Sequence, residues 1–176
     1  MKHQMMGSVR LLADDDEAYF STGEPWASEQ RDADGSAERN QQGEHVDVIP
    51  ESHADILDKT GLAHLATIGP NGEPQVSPVW YGWDGRYIRV SHTPDRQKYR
   101  NVRRDPRVAL SITDPDDPYR RIEIRGRVER IDQDPDHAFI NSMAKKYTGA
   151  DVYTASPPSQ QRVILVIAPE RANTMG

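Results

Sequence analysis

The sequence of 176 residues contains no cysteine, which excludes disulfides, thiolate metal sites and cysteine nucleophiles. It has no apolar run of the length that a bilayer-spanning helix needs, so we expect no membrane partner. A net charge of −6 argues against a broadly basic surface, and therefore against nucleic-acid binding. Because no secretory signal segment is visible either, we expect a cytoplasmic protein.

Several catalytic motifs are also missing. The chain has no G-x-G-x-x-G fingerprint and no Walker lysine motif, so a Rossmann or P-loop nucleotide site is not expected. The G-x-S-x-G elbow is absent, which argues against a hydrolase triad around Ser91 and His92. The six histidines show no metal-binding spacing, and we predict no metal site.

Composition divides the chain into two parts. Residues 1–46 are acidic and polar, with no sustained hydrophobic period, and we expect a largely disordered tail. Hydrophobic residues make up only 35% of the chain, which agrees with a segment outside the core. We expect residues 47–176 to form one folded domain.

The folded part is predicted to be mostly β. Tight-turn signals at 69–72 and at 84–85 predict that the first three strands form a meander. Few and short helical patterns are present, so the sequence favours a small antiparallel barrel or sandwich. Six runs have β-type patterns, at residues 62–68, 74–83, 86–91, 107–113, 120–132 and 163–168. In the fifth run, residues 122, 124, 126 and 128 alternate with charged residues, which predicts a strand with one buried face.

The stretch from residue 90 to residue 106 changes from a β-type run to a helical pattern. Thr93 is well placed to cap the helix, with Pro94 at the first helical position. We expect the helix to end at Asp105, because Pro106 disfavours the helical conformation of the residue before it.

Hydroxyls and cations surround this predicted helix start. Ser91 and Thr93 supply the hydroxyls, and Arg96 and Lys98 supply the positive charges. A helix N-terminus with such neighbours is suited to bind an anion, so we interpret the turn as a phosphate site. The alternative interpretation is that these basic residues form only the solvated face of a surface helix.

The run from Gln75 to Trp83 combines aromatic residues with a proline. Its simpler interpretation is a hairpin strand whose aromatic rings pack on the core. Pro78 cannot donate a ladder hydrogen bond, so the strand can instead present backbone groups and rings to a flat ligand.

Three segments together resemble a known family. They are residues 62–81 (LAHLATIGPNGEPQVSPVWY), 95–112 (DRQKYRNVRRDPRVALSI) and 122–129 (IEIRGRVE). They resemble the pyridoxamine 5′-phosphate oxidase-like flavin and deazaflavin oxidoreductases, most closely the branch that uses coenzyme F420. The resemblance implies a six-stranded antiparallel split β-barrel of the FMN-binding type, acting as a homodimer with the cofactor between the protomers.

The resemblance also implies a set of cofactor-binding residues. Arg96 and Lys98 would bind the phosphate, with Ser91 and Thr93 in the same turn. The residues bordering the ring system would be Gln75, Ser77, Pro78, Val79 and Trp80.

The resemblance implies a reductase that transfers a hydride from reduced F420 to a conjugated or electron-poor organic substrate. The FMN-dependent oxidases of the family commonly have Ser-Arg-Lys where this chain has Arg96-Gln97-Lys98. Two alternatives stay open: an FMN-dependent oxidase-like enzyme, and a non-catalytic protein that binds a flavin or a pigment. Tyr81, Tyr147 and solvent are all candidate proton donors.

Overall fold

A computed structural model describes residues 48–176, and the tail predicted at residues 1–46 lies outside these described residues. Within them, no helix combines the length and the apolar character that crossing a bilayer requires. The three helices are short: α1, Glu51–Ala54, which continues into a 3-10 turn at Asp55–Asp58; α2, Gln97–Arg104; and α3, Ala138–Thr148.

One antiparallel sheet forms the body of the domain, which confirms the predicted mostly-β class. Its order is β2-β1-β5-β6-β7-β4-β3. The strands are β1 (Ala63–Ile68), β2 (Pro74–Val79), β3 (Gly82–Trp83), β4 (Ile88–His92), β5 (Arg107–Thr113), β6 (Arg121–Gln133) and β7 (Val163–Met175). The described residues therefore contain seven strands where the sequence predicted six.

The extra strand arises because the run predicted at 74–83 divides in two. Its first part, β2, pairs with β1 as expected, but its second part, β3, pairs with β4. The predicted three-stranded meander is therefore wrong. Strands β2 and β3 stand at opposite ends of the sheet order, yet only Trp80 and Tyr81 separate them along the chain. So short a connection requires the sheet to curl until its two ends meet.

Tyr81 anchors this connection in the core. Its side chain is fully buried, and its hydroxyl donates a hydrogen bond of 2.9 Å to the carbonyl oxygen of Ile56. The hydroxyl of Tyr147, on α3, accepts the backbone N–H of Tyr81 at 3.2 Å and donates to the carbonyl oxygen of Gly61 at 3.0 Å. The backbone N–H and C=O of Tyr81 thus have a hydrogen-bond partner where the chain passes from one end of the sheet to the other.

The core lies inside the curled sheet. On β6 the predicted alternation is confirmed, since residues 122, 124, 126 and 128 are buried and the residues between them are exposed. The largest fully buried hydrophobic side chains are Ile56, Leu57, Leu65, Tyr81, Ile88, Ile112, Ile122, Ile124, Leu165 and Ile167.

Gly126 marks a place where β6 and β7 come unusually close. The register between the two strands shifts beside it. A Cβ atom at this position would overlap the carbonyl oxygen of Ala168 and lie 3.1 Å from its carbonyl carbon. Both atoms belong to backbone, so no side-chain rotation can relieve the overlap.

We therefore expect Gly126→Ala to lower the free energy of unfolding by about 1–3 kcal/mol, the typical cost of overpacking. Urea denaturation of the variant measures this. Arg125→Ala is the matched control, because Arg125 is the exposed neighbour on the same strand. Equal stability of the Gly126 variant and the unmodified protein would contradict the close approach.

Candidate cofactor site

A pocket of about 330 Å³ opens where the unpaired edge of β2 faces the end of β4. We call it the Ser91 pocket. It is lined by Leu62, Pro78, Val79, Trp80, Ser91, Ile140, Tyr153 and Arg162. Four of the nine residues predicted to bind the cofactor, namely Pro78, Val79, Trp80 and Ser91, therefore come together in one place.

Aromatic rings form one wall of the Ser91 pocket. The ring of Trp80 stacks on that of Tyr147, with the centroids 5.1 Å apart and the planes within 9°. Tyr153 meets Trp80 edge to face at 5.8 Å. These contacts fix the orientation of Trp80, so the pocket presents a rigid apolar surface that suits a flat ring system.

Arg162 supplies the positive charge of this pocket. It lies directly before β7 and is only 8% exposed. Its Nη1 donates to Ser91 Oγ and its Nη2 to Ser156 Oγ, both at 3.0 Å. The guanidinium carbon lies 4.6 Å from the centroid of the Tyr153 ring. Within residues 48–176, no carboxylate forms an ion pair with Arg162.

Lys98 belongs to a separate buried cluster beneath β1 and β2. It is 4% exposed, and its Nζ donates to the carbonyl oxygens of Leu65 at 2.9 Å and Gln75 at 3.1 Å. Burial lowers its pKa. The interpretation of Lys98 as part of a solvated helix face is therefore wrong. An ammonium has three N–H donors, so one is left over from these two bonds.

Gln75 is held in the same cluster by Asn101, which is fully buried. Asn101 Nδ2 donates to Gln75 Oε1 at 3.2 Å and to Thr67 Oγ1 at 3.1 Å. Ser77, two residues further along β2, is half-buried and pairs with Leu65 of β1. Gln75 and Ser77, two of the five predicted ring-bordering residues, are thus held in place within the sheet, although neither lines the Ser91 pocket.

Thr93 and Arg96 lie in the turn between β4 and α2. The predicted helix start was wrong: Thr93 to Arg96 forms a turn closed by Arg96 N–H and Thr93 C=O at 3.2 Å. Because Arg96 has an extended backbone conformation, with φ −83° and ψ 152°, α2 begins only at Gln97. The predicted end at Asp105 is confirmed, and Arg96 itself is exposed.

The pKa of His92 reflects the positive charges near it. Burial lowers the pKa of its imidazole, and the charges of Lys98, Arg96 and Arg162 lower it further. The backbone N–H of Thr93 donates to Nδ1 at 2.9 Å. Since an N–H group can only donate, this shorter contact favours the neutral tautomer with its proton on Nε2 over the one in which Nδ1 donates to the Thr93 carbonyl oxygen at 3.3 Å.

The donor chemistry of the region fits the phosphate of a flavin or deazaflavin. Nε of Arg162 is buried and has no hydrogen-bond partner among residues 48–176. The hydroxyl of Thr93 is also buried and faces the Asp95 carboxylate, whose pKa it lowers. Buried donors without partners are costly unless a ligand completes them. Lys98, Arg96 and Arg162 all act on the pKa of His92, and so much positive charge near one imidazole suits an anion.

Two of the candidate proton donors have structural roles. The hydroxyls of Tyr81 and Tyr147 bond to backbone groups, and burial raises the pKa of both. Neither hydroxyl faces the Ser91 pocket as a lining group. A larger groove of about 730 Å³, beside Ile49, Trp83 and Tyr87, contains none of the predicted cofactor residues.

Sequence reasoning missed Arg162 and Tyr153. Both lie in the connection between α3 and β7, Tyr153 five residues after the helix and Arg162 directly before the strand. The available signal was an arginine directly before a fully apolar strand, since such a residue is placed at the rim of the core.

Comparisons with known proteins bear on the fold and the family of this chain. The family model described as pyridoxamine 5′-phosphate oxidase matches residues 49–176. A solved structure described as an F420 reductase is 42% identical, with a TM-score of 0.65, and the match covers 71% of this chain and 98% of that one. These likenesses confirm the predicted split-barrel class.

Two other solved structures share the fold. A conserved hypothetical protein from Mycobacterium tuberculosis is 29% identical, with a TM-score of 0.58 and coverage of 74% of this chain and 88% of the other. General Stress Protein 26 from Bacillus anthracis is 17% identical, with a TM-score of 0.56 and coverage of 71% and 92% respectively. At 17% identity, the likeness to General Stress Protein 26 concerns the fold alone.

The state of His92 predicts a pH dependence of stability. Its pKa in the folded chain lies below the ordinary 6.5, so the unfolded chain binds the proton more readily. The stability that the neutral imidazole contributes is fully present above about pH 6.5, and it is lost as the pH falls through the lowered pKa.

We expect acidification from pH 7.5 to pH 5 to lower the melting temperature less in His92→Asn than in the unmodified protein. Asparagine can keep the acceptor for the Thr93 N–H, but it cannot take up a proton. An equal fall in both proteins would contradict the neutral buried imidazole.

Proposed function

This chain belongs to the pyridoxamine 5′-phosphate oxidase family, and from that premise we propose that it is an F420-dependent reductase. Its substrates are conjugated or electron-poor organic molecules. The observation that carries the choice of cofactor is the 42% identity to an F420 reductase across 98% of that chain.

The anionic part of the cofactor is held by the turn between β4 and α2. Arg96 supplies charge at this turn, Lys98 supplies charge from the adjoining cluster beneath β1 and β2, and Ser91 and Thr93 supply hydroxyls. The remaining N–H donor of Lys98 supports this assignment, because it is a buried donor that a phosphate would complete.

The ring system lies along β2. Pro78, Val79 and Trp80 give it an apolar support, and the stack of Trp80 on Tyr147 holds that support in place. When bound in its reduced form, the deazaflavin supplies a hydride donor. The residues of the chain bind and orient the deazaflavin and exclude water from the face of its ring system. Gln75 and Ser77, on the same strand, border the ring system with them.

The working unit is a homodimer in which a second protomer completes the cofactor groove. Supporting this, no strand of residues 48–176 pairs with the outer edge of β2, and Val76 on that strand is 62% exposed. An unpaired edge with an exposed apolar side chain is the kind of surface that proteins normally cover.

Fluorescence titration of the purified protein tests the choice of cofactor. We expect coenzyme F420 to bind with micromolar affinity and FMN to bind far more weakly. Tight binding of FMN alone would instead indicate the FMN-dependent alternative. Binding of F420 without turnover of a panel of enones and quinones would indicate a non-catalytic binding protein.

Replacing Arg96 tests the phosphate assignment with little risk to the fold, since its side chain is exposed. We expect Arg96→Met to weaken F420 binding by about 1–3 kcal/mol, the range for a lost charge-assisted hydrogen bond. Arg103→Met is the control, because Arg103 is an exposed cation near the other end of the same helix. If both variants bind F420 equally well, Arg96 does not contact the phosphate.

A further inference from the structure

Arg162 is a buried cation whose charge no acidic group balances within residues 48–176. Its two terminal nitrogens donate to the neutral hydroxyls of Ser91 and Ser156. Its Nε is buried and has no hydrogen-bond partner among these residues. Burying a charge is expensive unless it is paired, and hydroxyl dipoles offset only part of that cost.

The surroundings of Arg162 hold its guanidinium at the wall of the Ser91 pocket. The ring of Tyr153 lies against its face, and Ser91 positions one edge. A planar guanidinium held in this way presents donors in a geometry that matches a carboxylate or a phosphate. The rest of the pocket wall includes Leu62, Val79 and Ile140, which offer no competing charge.

We propose that Arg162 is an anion-binding residue of the Ser91 pocket, where it contacts a phosphate or carboxylate group of the bound small molecule. The inference rests on the proposed function, because Pro78, Val79, Trp80 and Ser91 line the same pocket. The anionic group belongs either to the side chain of the deazaflavin or to a second, acidic substrate molecule.

Binding measurements on Arg162→Met distinguish these sources. The first arm compares coenzyme F420 with the deazaflavin nucleoside that lacks the phosphate, by calorimetry. The second arm titrates inorganic phosphate and benzoate into the protein with and without F420. Arg162→Lys keeps the positive charge but lacks the paired N–H donors of the guanidinium, and it replaces the methionine variant in both arms if that variant fails to fold. Arg125→Met, an exposed cation on β6, is the control.

A loss of about 10- to 100-fold in F420 affinity, with nucleoside binding unchanged, assigns the anion to the cofactor. Unchanged F420 affinity with lost phosphate or benzoate binding assigns it to a second molecule. Equal weakening of F420 and the nucleoside overturns the inference, because it indicates a structural role. No change for any of the probes overturns it as well.

Failure of the proposed function gives a different result. If the unmodified protein does not bind F420, the reductase assignment falls, while the phosphate and benzoate titrations still test Arg162. If it binds F420 and Arg162→Met matches it with every probe, only the role of Arg162 falls.

Discussion

The fold depends on one constraint, which is the passage of the chain from one end of the sheet to the other within two residues. Trp80 and Tyr81 make this passage between β2 and β3. The hydroxyl of Tyr81 is hydrogen-bonded to the carbonyl oxygen of Ile56, and its backbone N–H is hydrogen-bonded to the Tyr147 hydroxyl. Because the passage is short and fixed, the outer edge of β2 and the end of β4 face each other across the Ser91 pocket.

Buried positive charge is the second determinant of the site. Lys98 and Arg162 are both more than nine-tenths buried, and within residues 48–176 neither has a carboxylate partner. Several other cations of the described chain have carboxylate partners: Asp114, for instance, forms ion pairs with both Lys59 and Arg120. A buried charge without an ionic partner lowers the stability of a folded chain, which supports the proposal that these cations bind a ligand.

What the sequence could predict follows from the range of the interactions involved. The alternation along β6 and the end of α2 before Pro106 depend on neighbouring residues, and both were correct. The division of residues 74–83 depends on distant partners, since β3 pairs with β4 while β2 pairs with β1. Thr93 failed as a helix cap because its turn extends to Arg96, and Arg162 was missed because only the fold brings it to Ser91.

Ligand binding and fold stability are coupled through these cations. An anion that contacts Arg162, or the remaining donor of Lys98, removes the cost of an unbalanced charge only in the folded chain, where the charge is buried. Such an anion would also act on His92, because the same cations lower its pKa and a bound negative charge would offset them. The imidazole therefore responds to the charge state of the site without itself lining the pocket.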